Sequence, residues 1–245
     1  MINQKELQEN IKKSKKLLDM FKDKWNTIPE DRRAATYYTL GAECKRIAIA
    51  QLLLKNKKES MNWFKKAAEY FMKSEVMKEE KPILYLEILN TAIISKDQKL
   101  ITKAKEFVSD ISAEFPENHK NWAYLYYYLI LLLDILNKKD IQIAKTIAKL
   151  KELEEKTRIE RAHKGMAKTA EGILTKNEAV FTEGINKILR SHKKTKPFSK
   201  TNSDDAICLT ATILLILAKQ RKIQVKKEKL TEDKQYIANS MLENE

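Results

Sequence analysis

Apolar positions recur at helical spacing along almost the whole chain. Over residues 2–24, Leu7, Ile11, Leu17, Leu18 and Phe21 fall on one stripe with lysines elsewhere, which predicts an amphipathic helix. Trp25 and Pro29 end it, and Pro29-Glu30-Asp31 opens a longer helix to about Leu54. There Ala34, Ala35, Tyr38, Ala42, Ile47, Ala48 and Leu52 keep the spacing. From this point a unit repeats: an apolar helix, a short turn of Lys followed by Asn or Asp, and a second amphipathic helix. The turns are Lys55-Asn56, Lys96-Asp97, Lys139-Asp140 and Lys176-Asn177, separated by 41, 43 and 37 residues. Asn and Asp suit these places because their side chains accept hydrogen bonds from the free amides of the next helix. The same interval beyond Asn177 reaches 219–222, where a fifth apolar helix ends. The first helices are expected at 37–54, 83–95, 122–136, 160–174 and 206–218, and the second at 59–76, 98–112, 141–155, 178–191 and 231–242. Pro82 and Pro116 fall between units, where helix stops belong.

This periodicity predicts an all-α chain: antiparallel helical hairpins stacked as an irregular solenoid-like bundle of about eleven helices. It reads as one domain over residues 1–245, with an N-terminal helix (1–28), hairpin units (30–175), and a last hairpin with a basic loop and a C-terminal helix (177–245). The signature residues of tetratricopeptide repeats are absent. The first helices are the more apolar and are expected inside, with Leu214 and Leu217 buried. An extended piece is allowed only at 223–226. Four Gly and four Pro agree with so much helix, since a chain poor in turn formers must spend its length in elements that need none. The two longest apolar runs, 122–133 and 206–218, are shorter than the ~20 residues that cross a bilayer, so no membrane insertion is expected. Cys44 and Cys208 lie in apolar patterns and read as reduced buried thiols. The N-terminus lacks the apolar core of a signal peptide, and the expected compartment is the cytoplasm.

The net charge of +14 is unevenly spread: residues 187–229 carry twelve Lys or Arg against three acids, Asp204, Asp205 and Glu228. Of the 48 basic residues 41 are Lys and seven Arg, whereas planar recognition of phosphate or guanine favours Arg. Nucleic acid is therefore a secondary candidate partner, and an acidic protein the first.

Candidate chemistry is sparse. Gly41, Gly165, Gly172 and Gly184 never take a nucleotide-binding spacing. His119, His163 and His192 stand apart from one another and from Cys, so no metal-ligand spacing exists and no cofactor is expected. Arg158 and His163, separated by four residues, resemble the Arg-His signature of HEPN ribonucleases, in which His would act as acid or base and Arg would stabilise phosphate charge. Ile159 stands where that family carries a polar residue, and on a regular helix Arg158 and His163 point ~140° apart. The aromatic run Trp122–Tyr128 could stack bases, but its continuation into 129–133 marks a core helix. The Lys- and Glu-rich stretch 145–161 reads as a solvated face. The longest connection, 191–202, joins two helices by about twelve residues and is the foremost candidate interaction element. It divides a basic segment from Asp204-Asp205, the expected start of the last apolar helix.

Around this connection the chain resembles the immunity protein 49 family, antidotes that bacteria encode beside secreted polymorphic toxins. The resemblance rests on the helix 177–189, on His192-Lys193-Lys194, on the aromatic-Ser pair Phe198-Ser199, and on an apolar helix led by an acidic residue and ending in 218–225. It spans about 50 residues. Family members carry Trp or Tyr closer behind the basic element, Gly after the acidic helix start and Gly near position 222, where this chain has Phe198, Ala206 and Lys222. The resemblance implies a non-catalytic protein that binds and neutralises a cognate toxin. His192, Lys193, Lys194, Lys196, Phe198, Ser199, Asp204 and Asp205 would then contribute to the partner surface. Antidotes of nucleases are mostly acidic, so a basic one implies a toxin with an acidic contact patch or another activity. A helical-repeat adaptor for protein–protein interaction is the alternative.

Overall fold

The computed structural model describes residues 3–74, 80–156, 164–195, 206–223, 225, 229–230 and 237–242, and among these every regular element is helical. The order is α1 (Gln4–Asp23), α2 (Glu30–Leu53), α3 (Lys57–Phe71), α4 (Lys81–Ser95), α5 (Gln98–Val108), α6 (Phe115–Asn118), α7 (Ala123–Leu136), α8 (Asp140–Lys156), α9 (Met166–Thr175), α10 (Glu178–Thr195), α11 (Leu209–Gln220) and α12 (Asn239–Leu242). The chain divides into two compact units, one with α1–α5 and one with α6–α12.

Five lysines punctuate the repeat. Lys55, Lys96, Lys138, Lys176 and Lys222 all hold φ between 52° and 64°, the left-handed conformation that terminates a helix and that glycine favours. In the third turn this residue is Lys138, one position before the expected Lys139. The amide after the left-handed residue reaches back to the helix: Asn56 N–H bonds the Gln51 carbonyl at 2.9 Å and Asn177 N–H the Gly172 carbonyl at 3.0 Å. Two of the following helices are capped by the side chains their turns predict, whereas Asn56 makes no side-chain cap to α3 and turns its side-chain amide to Gln51 at 2.8 Å. Asp97 accepts from Leu100 N–H at 3.0 Å, and Asn177 from Ala179 and Val180 N–H at 3.0 and 3.1 Å.

Several boundaries differ from the periodic reading. Of the helix expected at 160–174, residues 160–163 lie outside the described ones, and α9 begins at Met166 after Gly165 with φ +113°. The helix expected to end at 191 continues to Thr195, so His192, Lys193 and Lys194 occupy its last turn rather than a loop. Basic side chains are favourable there because they face the negative end of the helix dipole. Ala206–Cys208 are not helical, and α11 starts at Leu209 after an extended Cys208. Pro82 and Pro116 open α4 and α6 instead of separating units. In a first turn the missing N–H has no intrahelical partner to lose. Of the helix expected at 231–242, the described part is the single turn Asn239–Leu242.

In the first unit, successive helices pack on one another. α2 and α3 pack together, and Ile47, Ala48 and Ile49 of α2 and Phe64, Ala67, Ala68 and Phe71 of α3 are almost fully buried. Ser60 Oγ donates to the Ala48 carbonyl at 2.8 Å, which ties the two helices at their junction. Glu43, 6% exposed, is held by the Ser14 hydroxyl of α1 at 2.6 Å and by Arg46. A buried carboxylate is tolerated when its lone pairs are satisfied in this way. Lys45 grips both oxygens of Glu87 on α4, at 2.7 and 2.9 Å.

The second unit is built around α7 and α11, whose apolar residues are buried almost all round. Leu214 and Leu217 are 0% and 1% exposed, as the apolar run predicts. The α9–α10 pair is its tightest contact. A Cβ on Gly172 would lie 2.5 Å from Phe181 Cα, and one on Gly184 would lie 2.8 Å from Thr169 Cα and still closer to its amide nitrogen. The two backbones touch there, and only glycine permits that distance.

Candidate functional site

Of the basic segment that the sequence singles out, Lys187, Arg190, Lys193 and Lys194 lie on α10. With about 100° per residue, Lys187, Arg190 and Lys194 share one face of α10 within roughly 60°, whereas His192 points nearly opposite Lys194. The helix therefore splits the expected triplet: Lys194 joins Lys187 and Arg190, while the half-buried His192 lies on another side and the exposed Lys193 between. Lys196, Phe198, Ser199, Asp204 and Asp205 lie outside the described residues, as do Arg158 and His163 of the ribonuclease-like pattern.

Beside this face is a cleft of about 480 Å³, lined by Lys151, Glu154 and Glu155 of α8, by Lys164 and Gly165, and by Lys187, Arg190 and Ser191 of α10. Its charges are not equivalent. Glu154 is committed inward: it accepts from Ala167 N–H at 3.0 Å and Gly165 N–H at 3.3 Å, and from the Tyr124 hydroxyl at 3.4 Å. It thus caps α9 from a neighbouring helix, a place where a negative charge is favoured and which Gly165 itself cannot serve. Lys151 pairs with Glu171 at 2.9 Å and Lys187 with Glu183 at 3.2 Å. Glu183 also binds Lys168, and the Lys168 and Lys187 ammonium groups hold its carboxyl below the usual carboxylate range. Lys164, Arg190 and Lys194 have no ion-pair partner among the described residues. The cleft therefore presents Lys164 and Arg190, without an ion-pair partner among the described residues, opposite the exposed Glu155 of α8, and Lys194 extends the basic face of α10 beyond it.

Glu154, Lys164 and Arg190 were not legible as a group in the sequence. The stretch 145–161 looks like a solvated helix face, and Glu154 is set apart only by its reach to α9. The one available signal was the spacing of Lys187, Arg190 and Lys194, which puts them on one face once α10 is known to run past Ser191.

Among the described residues no group of three His, Cys, Asp or Glu is placed to hold a metal ion, and no helix is long and apolar enough to cross a membrane. Cys44 and Cys208 are buried and form no disulfide. Set against protein-family models, curated proteins and solved structures, the chain finds no match.

Proposed function

We propose that this protein is a non-catalytic immunity protein that binds an acidic surface of a cognate protein toxin through the basic end of the α9–α10 hairpin. The observation that carries the reading is the charge of Lys164, Arg190 and Lys194, without an ion-pair partner among the described residues, on a glycine-locked scaffold. A rigid support lowers the ordering cost of association, and clustered like charge accelerates encounter with an oppositely charged partner. The resemblance to the immunity protein 49 family supplies the kind of partner. Its departure at Lys222 is conformationally mild: φ there is 63°, a backbone state that glycine favours, so the family's glycine and this lysine would serve the same turn.

Surface plasmon resonance against the product of the adjacent toxin gene tests the proposal. Arg190→Glu with Lys194→Glu is expected to slow association at low salt by tenfold or more and to abolish protection of cells that express the toxin. Wild-type association and protection in that variant would remove the hairpin from the interface. A partner that binds through this face but is not toxic would favour the adaptor reading.

A further inference from the structure

A second concave site, in the first unit, has a different chemistry. It is a cleft of about 370 Å³ between α1 and α3, within the ~300–1,000 Å³ typical of small-molecule sites. From α3 come Trp63, Lys66, Glu69 and Tyr70, of which Trp63, Lys66 and Tyr70 share one face of the helix, and Lys73 follows just beyond its end. From α1 come Lys15, Leu18, Asp19 and Lys22 at the same kind of spacing. The floor is apolar: Leu18 is 5% and Cys44 1% exposed. Burial pushes the Cys44 thiol up to about 12 against the opposing influence of Lys66, so the floor stays neutral and unreactive at physiological pH.

The walls pair flat rings with cations. The ammonium of Lys66 lies 4.3 Å from the centre of the Trp63 ring and that of Lys15 5.7 Å from it, while Lys73 lies 6.0 Å from the Tyr70 ring. Asp19 is paired with Lys22 at 3.7 Å, but no carboxylate lies within ion-pair distance of Lys15, Lys66 or Lys73 among the described residues. Three cations thus rest on aromatic faces at the rim, contacts that are weak at exposed positions and that an incoming anion would replace with charge-assisted hydrogen bonds. The rings so uncovered offer a flat surface for stacking.

We infer that this cleft binds a nucleotide, with the base against Trp63 and Tyr70 and the phosphate held by Lys15, Lys66 and Lys73. The site is independent of the basic hairpin of the second unit. The same chemistry is met in a free mononucleotide and in a nucleotide of a single strand, and the two are told apart by titration.

Isothermal titration calorimetry of the full chain would use AMP, GMP, CMP and UMP as one arm and a five-residue single-stranded oligouridylate as another. Adenosine and inorganic phosphate would serve as half-ligands. At least one mononucleotide or the strand is expected to bind with a Kd below 1 mM, tenfold or more tighter than either half-ligand. Lys66→Ala with Lys73→Ala, both exposed positions, should weaken that binding at least tenfold with an unchanged melting temperature, as should Trp63→Leu. Arg190→Ala should leave it unchanged. The tighter of the two arms names the source. No binding by any probe at 5 mM, binding no tighter than phosphate alone, or binding indifferent to the Lys66 and Lys73 changes would overturn the inference.

Discussion

The α2–α3 pair of the first unit and the α9–α10 pair of the second are both helical hairpins closed by a left-handed lysine, yet their interfaces work differently. In α2–α3 the contact is made by side chains. Gly41 lies under the Phe71 ring, whose atoms a Cβ would approach to 2.7 Å, and Phe71 also meets the Tyr38 ring edge-on at 5.4 Å. In α9–α10 the contact is made by backbone, with Gly172 against Phe181 and Gly184 against Thr169. Gly165 closes the same contact from its positive-φ position, where a Cβ would stand 2.5 Å from the Gly184 carbonyl oxygen. A ring can tilt when crowded, whereas a helix backbone moves only as a whole. Three of the four glycines in the chain therefore belong to one helix pair.

Alanine at these glycines would sharpen the contrast most. Gly172→Ala or Gly184→Ala should destabilise the protein by roughly 3 kcal/mol or more, the upper end of overpacking effects, because no side-chain rearrangement relieves the clash. Gly41→Ala should cost about 1–2 kcal/mol, since Phe71 can yield. Urea denaturation of the three variants measures the difference. Equal losses at Gly41 and Gly172 would break the distinction between a side-chain and a backbone interface.

The turns are the next test, because they are what the two hairpins share. Lys55→Gly and Lys176→Gly relieve left-handed strain while adding freedom to the unfolded chain, and the net gain should be roughly 0.5–1 kcal/mol each. A loss of stability in thermal melts would mean that the lysine side chains contribute more than their backbone conformation costs.

The smallest expected effect concerns buried acids. Glu43 in the first unit is satisfied by Ser14 and Arg46, whereas Asp134 of α7, 6% exposed, has among the described residues the Thr146 hydroxyl at 3.4 Å as its side-chain partner. Burial raises the Asp134 carboxyl above its ordinary value, with Lys139 and Thr146 opposing the shift. Between the unfolded value and this raised one, the folded chain binds more protons than the unfolded chain. Asp134's contribution to stability therefore falls as pH rises through that window and is constant above it. Asp134→Asn should melt above wild type at pH 7, and the gain should vanish below the ordinary carboxylate range. A gain that persisted at pH 3 would show that ionisation is not its source.

Most of the fold was legible from residue pattern. The spacing of apolar positions and the Lys-Asn and Lys-Asp turns located α2, α4, α5, α7 and α10 to within a few residues at most ends. What escaped were ends fixed by conformation or by distant partners. Gly165 sets the start of α9 at Met166, and Glu154 caps α9 from thirteen residues before Ala167. The candidate site was half legible. Its charge could be read from composition, but the helical register of α10 parts Lys194 from His192 and joins it to Arg190.

The sequence by itself determined that the chain is helical, where its turns fall and where its positive charge is concentrated, because each depends on residues within a turn or two of one another. Tertiary structure alone decided which glycines let backbones touch, which lysines met a carboxylate on a neighbouring helix, and which had no such partner among the described residues. Those outcomes depend on groups far apart in the chain, whose meeting no local spacing records.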